Sequence, residues 1–169
     1  MLAIDGIPTP EDLAGRMPPP ERLAKGPVVM AECFQRIPCD PCMHACPRGA
    51  ILPFKDINDT PVIDYNRCNG CALCVTRCPG LALFVLDYTY SAREAVVKMP
   101  YEFLPLPEPE TTVTALDRRG EAVCAARVVK VVTGEKMDRT ALIWLAVPKE
   151  LAMEVRHCRV PQRGEKIDG

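Results

Sequence analysis

CNGCALCVTRCP, residues 68–79, spaces four cysteines as C-x2-C-x2-C-x3-C and follows the last with proline. CDPCMHACP, residues 39–47, repeats the last three of those cysteines and the proline, but the position three before Cys39 is Arg36. A first cysteine for that stretch has to come from elsewhere. Cys33 stands six residues before Cys39, so the longer stretch reads C-x5-C-x2-C-x3-C-P, with a first turn enlarged by FQRIP and stiffened by Pro38.

The chain has 169 residues, ten of them cysteine, and eight of the ten fall between Cys33 and Cys78. Reducing compartments keep thiols from pairing, and a chain without an export signal is expected in the cytoplasm, so metal binding is the better reading of these cysteines than disulfides. The spacing at 68–79 is that of bacterial iron–sulfur runs, in which the fourth cysteine serves the other of two clusters. Three thiolates in one tight loop reach three irons of a cubane while the fourth points away, and Cys-Pro sends the chain to the neighbouring site. Gly70 supplies a left-handed turn close to the inorganic sulfide. Zinc is the competing reading, but zinc knuckles use separated cysteine pairs, and three cysteines at successive x2 spacings crowd a single ion.

Crossing the fourth ligands assigns Cys33, Cys39, Cys42 and Cys78 to one [4Fe–4S] cluster and Cys46, Cys68, Cys71 and Cys74 to a second. The alternative for the first site is a three-iron cluster, with Cys33 a plain buried thiol. Around the ligands, CPRGAI at 46–51 parallels CPGLAL at 78–83, and GPVVMAEC and TPVIDYNRC each put a β-branched run before a first cysteine. Each half is expected to form a short strand, a ligand loop, a short helix after Cys-Pro and a second strand. Val28, Val29, Ile51, Val62, Ile63, Val75, Leu81, Leu83 and Val85 are the candidate apolar shell, although ordinary core packing accounts for each equally well.

Residues 27–87 resemble the two-cluster, bacterial-type ferredoxins. The resemblance implies a pseudo-twofold βαβ pair and one-electron transfer at each cluster. Together with the rest of the chain, the expected class is α+β: this ferredoxin-type domain plus a small β-rich domain at 111–160. Residues 1–26 read as an extended proline-rich arm able to wrap a partner or to fray, 88–110 as a proline-rich linker, and 161–169 as a tail. TTVTALDRRGEAVCAARVVKVVTG promises two strands about the turn DRRGE, RTALIWLAVP a third, and KELAMEVRHC a short helix through Leu151, Val155 and Cys158.

Nothing in the C-terminal part reads as catalytic. Cys124 and Cys158 are expected to be structural thiols, His44 a solvated loop residue that could otherwise tune a cluster, His157 a helix-end cation, and Trp144 core or interface. Neither G-x-G-x-x-G nor G-x-x-x-x-G-K-[ST] occurs, so no dinucleotide or NTP cradle is evident. The formal charge is −1 with no basic run, which argues against nucleic acid or an anionic membrane as partner and against a nucleic-acid-associated iron–sulfur module. No apolar run reaches membrane-span length.

Two roles follow: a fixed electron-transfer subunit of an oxidoreductase, or a free-standing shuttle with docking segments. A shuttle gains from a single-sign field, whereas residues 31–84 hold equal numbers of acids and bases, so the subunit is favoured. More narrowly, ECFQRIPCDPCMHACPRGAI followed by DTPVIDYNRCNGCALCVTRCPGLALFVLD and a β-rich tail resembles the small iron–sulfur subunits of FAD-dependent proline, hydroxyproline and sarcosine-type dehydrogenases. That resemblance implies a flavoprotein partner in a hetero-oligomer, which oxidises a C–N bond and hands on the electrons.

Overall fold

The computed structural model describes residues 2–137 and 139–161, which leaves all but the first residue of the expected 161–169 tail outside the described residues. The strands are β1 (Val28–Ala31), β2 (Leu83–Asp87), β3 (Glu94–Tyr101), β4 (Thr112–Leu116), β5 (Ala122–Val132), β6 (Ala141–Pro148) and β7 (His157–Arg159). They form one antiparallel sheet in the order β1-β2-β3-β6-β5-β4-β7. The short helices are α1 (Leu2–Asp5), α2 (Pro10–Ala14), α3 (Pro20–Leu23) and α4 (Pro41–Ala45). The mixture is α+β, with antiparallel pairing dominating.

Within residues 88–110, expected as a linker, lies a strand that joins the cluster-bearing segment to the C-terminal strands. EAVVKMPY alternates with period two: Ala95, Val97, Met99 and Tyr101 enter one core. Pro100 is unusual within a strand, since proline cannot donate to a ladder. It is tolerated because β2 pairs only with Val96, Val97 and Lys98, so Pro100 has β6 on one side and is locally at an edge. The β4–β5 hairpin about DRRGE and strand β6 fall where the sequence placed them.

The expected helix over KELAMEVRHC is a single 3-10 turn, Lys149–Leu151, followed by β7. Val155 and Cys158 are buried as their spacing suggested, but Cys158 pairs with Ala115 of β4, a ladder bond that the helix would forgo. The helices of the cluster segment also differ from expectation. Helix α4 and the 3-10 turn Val75–Arg77 precede Cys46-Pro47 and Cys78-Pro79 rather than follow them. Both pre-proline cysteines are extended, at φ/ψ of −81/104 and −82/108, as clash with the proline ring requires.

One core collects Met30 from β1, Leu86 from β2, Val113 from β4, Val128 from β5, Leu145 from β6 and Cys158 from β7. The sheet therefore curls until its two edge strands face a common interior. What closes the seam is an ion network. Glu32, just past β1, accepts from Arg156 Nε at 2.6 Å and from Arg118 Nε and Nη2 at 2.9 and 2.8 Å. The second core lies on the opposite face and packs Val29, Ala31, Leu83, Val85 and Leu142 against Ile51, Val75, Cys42 and Cys74. Ile63 packs at its margin, but Val62 is exposed and outside the expected shell, the chain having only an isolated Ile51–Ile63 bridge there.

The N-terminal arm lies along its own chain. Thr9 and Asp12 form a reciprocal capping box at the start of α2. Arg16 then reaches Thr60, the Tyr65 hydroxyl donates to Arg16 O, and Leu13 and Leu23 pack against the first core. Among the described residues, no helix is long and apolar enough to cross a membrane.

Candidate iron–sulfur centres

Two cavities lie beneath β1 and β2. Cys33, Cys39, Cys42 and Cys78 line one, together with Ile37, Phe54 and Leu83. Cys46, Cys68, Cys71 and Cys74 line the other, with Val29, Ile51 and Gly70. These are the two crossed sets that the spacing suggested. Each Cys-Pro step carries the last cysteine of one stretch into the cavity of the other.

The loops after Cys46 and Cys78 match in detail. Ala50 N–H donates to Cys46 Sγ at 3.2 Å and Ala82 N–H to Cys78 Sγ at 3.3 Å. Three residues past each cysteine the backbone turns left-handed, at Gly49 (φ +57) and at Leu81 (φ +51). In the second cavity Cys68 Sγ also accepts from Val29 N–H at 3.4 Å and Gly70 N–H at 3.5 Å. Burial raises the Cys46 thiol, but the N–H groups of Ile51, Arg48, Ala50 and Gly49 outweigh it and hold the group below the ordinary cysteine value.

The other resolved shifts run upward. Burial and then the charge of Cys78 raise Cys33, Cys39 and Cys42, the last to about 12. Cys74 is raised further by burial and by Cys68 and Cys71. Thiols gathered in this way resist ionising together, and a cationic iron–sulfur core relieves both the burial penalty and the mutual repulsion by taking the thiolates as ligands. Among the described residues, no three His, Cys, Asp or Glu side chains converge as closely as one ion would require. The donor set suits a polynuclear cluster better than zinc.

Gly70 has φ +66, and a Cβ there would meet Pro27 Cβ at 2.5 Å and Pro27 O at 2.8 Å. Its freedom is thus needed for backbone approach as well as for the turn. Gly70→Ala is expected to cost about 2–3 kcal/mol, combining left-handed strain with overpacking. Urea unfolding of anaerobically loaded protein measures this, and a loss below about 0.5 kcal/mol would mean that Pro27 moves aside freely.

Three residues of the site were not singled out from sequence. Arg22, in α3, donates to the carbonyls of Tyr65, Gly26, Pro27 and Cys68, the last at 2.7 Å. Lys98, in β3, is 6% exposed and its Nζ donates to Gly70 O at 3.1 Å. Glu32 adjoins Cys33 and anchors it to the seam. A lone lysine in the apolar run AVVKMPY was the available signal for Lys98. The prolines that follow the run point to a linker and mask that signal.

The remaining residues resolve plainly. Trp144 pairs across the sheet with Lys98 and Lys130, whose Nζ atoms lie 4.1 and 5.2 Å from its ring, and its buried Nε1 has no partner among the described residues. His44 is exposed and 3.1 Å from Asp40. His157 is in β7 rather than at a helix end, and it packs edge-on to Phe103 and tilted against Tyr101. Cys158 is buried in the first core, and Cys124 is partly buried against that core.

Residues 35–82 match the family model described as a 4Fe-4S dicluster domain. Over those residues the chain is similar to iron–sulfur dicluster domains, and its cofactors are two [4Fe–4S] clusters. Pyruvate synthase subunit PorD of Methanocaldococcus jannaschii is 42% identical over 43 residues, covering 25% of this chain and 48% of that one. The thiosulfate reductase electron transfer subunit PhsB of Salmonella typhi is 39% identical over 51 residues, covering 27% and 26% respectively. The chain thus spans about half or less of the length of these curated relatives. No solved structure matches it.

Proposed function

We propose that this chain is a non-catalytic electron-transfer subunit that relays electrons one at a time, through clusters held by Cys33, Cys39, Cys42 and Cys78 and by Cys46, Cys68, Cys71 and Cys74. The observation that carries the reading is the pair of four-cysteine cavities under one sheet face. The relatives support a subunit role, since both are named as subunits and one as an electron transfer subunit. For the donor we propose a flavin-containing dehydrogenase that oxidises an amino acid or related amine. This rests on the resemblance of the cysteine-bearing stretches to such iron–sulfur subunits, and a further redox centre or acceptor completes the relay.

Anaerobic native mass spectrometry of the tagged chain from its own host tests the assignment. A stable complex with a flavin-bearing chain is expected, and a monomer with two intact clusters would favour the free-standing shuttle. In the complex, Cys71→Ala is expected to leave flavin reduction by substrate intact while cutting transfer to the natural acceptor by tenfold or more. Equal loss of both activities would count against the relay.

A further inference from the structure

Building on the two-cluster relay, we propose that Lys98 and Arg22 are tuning cations that make the site of Cys46, Cys68, Cys71 and Cys74 the one that holds the electron in the singly reduced protein. Reduction adds one negative charge to a cluster, and a cation fixed nearby in a low-dielectric interior stabilises that form selectively. Both cations act on the same short loop from different elements. Lys98 reaches Gly70 O from the sheet, and Arg22 reaches Cys68 O from the arm. Gly70 lies between two of the four cysteines, and the Arg22 contact is on a cysteine carbonyl itself.

The sulfur hydrogen bonds act in the same direction. Donors to ligand sulfur stabilise the more negative state. Cys46 and Cys78 each accept one at matching positions, from Ala50 and Ala82, while Cys68 accepts two more, from Val29 and Gly70. Each site has one buried cysteine, Cys42 or Cys74, but of the eight only Cys71 is exposed, so water also favours the higher charge at its site.

The surroundings of the other site are mixed. Arg16, which lies over the Phe34 ring, contributes positive charge near Cys33, while Asp40 places negative charge beside Cys39. Of the groups around Lys98, Asp87 opposes its field, but Asp87 Oδ1 is engaged by Thr89 N–H and Oγ1. Lys130, across Trp144, adds to it. In a protein carrying one electron, that electron passes from the Cys33 site to the Cys71 site, oxidising the first and reducing the second. No bond is made or broken.

Anaerobic potentiometry with low-temperature EPR on the full chain tests this, the Cys71 site being identified by the spectral change in Cys71→Ser. Lys98→Met is expected to make reduction of that site about tenfold less favourable, 59 mV for one electron, with the other site unmoved and iron content retained. Arg22→Gln should shift the same site in the same direction, and it decides the question if Lys98→Met loads incompletely. Unchanged potentials in a fully loaded variant, or a shift confined to the Cys33 site, would overturn the assignment. A parent protein that loads only one cluster would instead refute the two-cluster relay beneath it.

Discussion

Glu32→Gln is expected to lower the unfolding free energy by about 3–5 kcal/mol, the usual cost of removing one partner from a buried ion pair. The Glu32 side chain is 8% exposed and that of Arg156 4%, and the two are 2.6 Å apart. Glutamine keeps an acceptor but removes the charge, which leaves Arg156 desolvated without compensation. Arg156 also donates to Ala152 O and Val155 O and lies over the Phe84 ring, so it cannot swing out to water without breaking the turn before β7. Converting Glu32 and Arg156 together to leucine and methionine should recover part of the loss, because the desolvation cost of both charges disappears with them.

The same substitution carries a pH signature. Burial raises the Glu32 carboxyl, but the Arg118 hydrogen bonds and the Arg156 and Arg118 charges outweigh it, so the folded value lies below the ordinary one. A depressed folded value contributes stability that is present above the unfolded pKa and is lost as pH falls through the folded pKa. The gap between parent and Glu32→Gln should therefore be widest near neutrality and narrow in acid. Urea midpoints across that range would show it, and a gap below about 1 kcal/mol at neutral pH would mean that the seam is held by packing alone.

The grouping of the eight cysteines into two cavities was legible because the pattern is local: three cysteines share one tight loop, and Cys-Pro directs the fourth away. The C-terminal strands β4, β5 and β6 were legible from β-branched runs and a turn. Their attachment was not. Strand β3 is masked by Pro100 within it and by the prolines that follow, and only the pairing of Lys98 with Val85 on one side and Trp144 on the other reveals that the cluster segment and the C-terminal strands share one sheet. The Glu32 seam and the Lys98 contact join residues 124 and 28 positions apart, and no periodicity reports such distances. The docking of the N-terminal arm is illegible for a related reason. Its proline content indicates extension, whereas Arg22 and Arg16 bind backbone carbonyls and hydroxyls presented by loops some forty residues away.

Cys33 is where sequence and geometry can be set against each other most sharply. It lies outside the 35–82 family match and five residues, rather than two, separate it from Cys39. Yet it lines the same cavity as Cys39, Cys42 and Cys78, and the Cys78 charge is felt at all three. The enlarged turn is braced to make this possible: Cys39 N–H donates to Ile57 O, and Arg36 pairs with Asp59, whose carboxylate also accepts from the N–H groups of Lys55 and Asp56. Cys33→Ala is therefore expected to remove about half of the iron and acid-labile sulfide, or to leave a three-iron remnant that is EPR-active when oxidised, a state in which an intact [4Fe–4S] cluster is silent. Cys124→Ala, which touches neither cavity, should retain the full complement. Full iron content in Cys33→Ala, with no oxidised-state signal, would show that Cys33 is a packing thiol and that another group supplies the fourth ligand. A three-iron signal already present in the parent protein would instead assign the first site to three cysteines from the outset, with the braced turn serving only to carry the chain from β1 into the ligand loop.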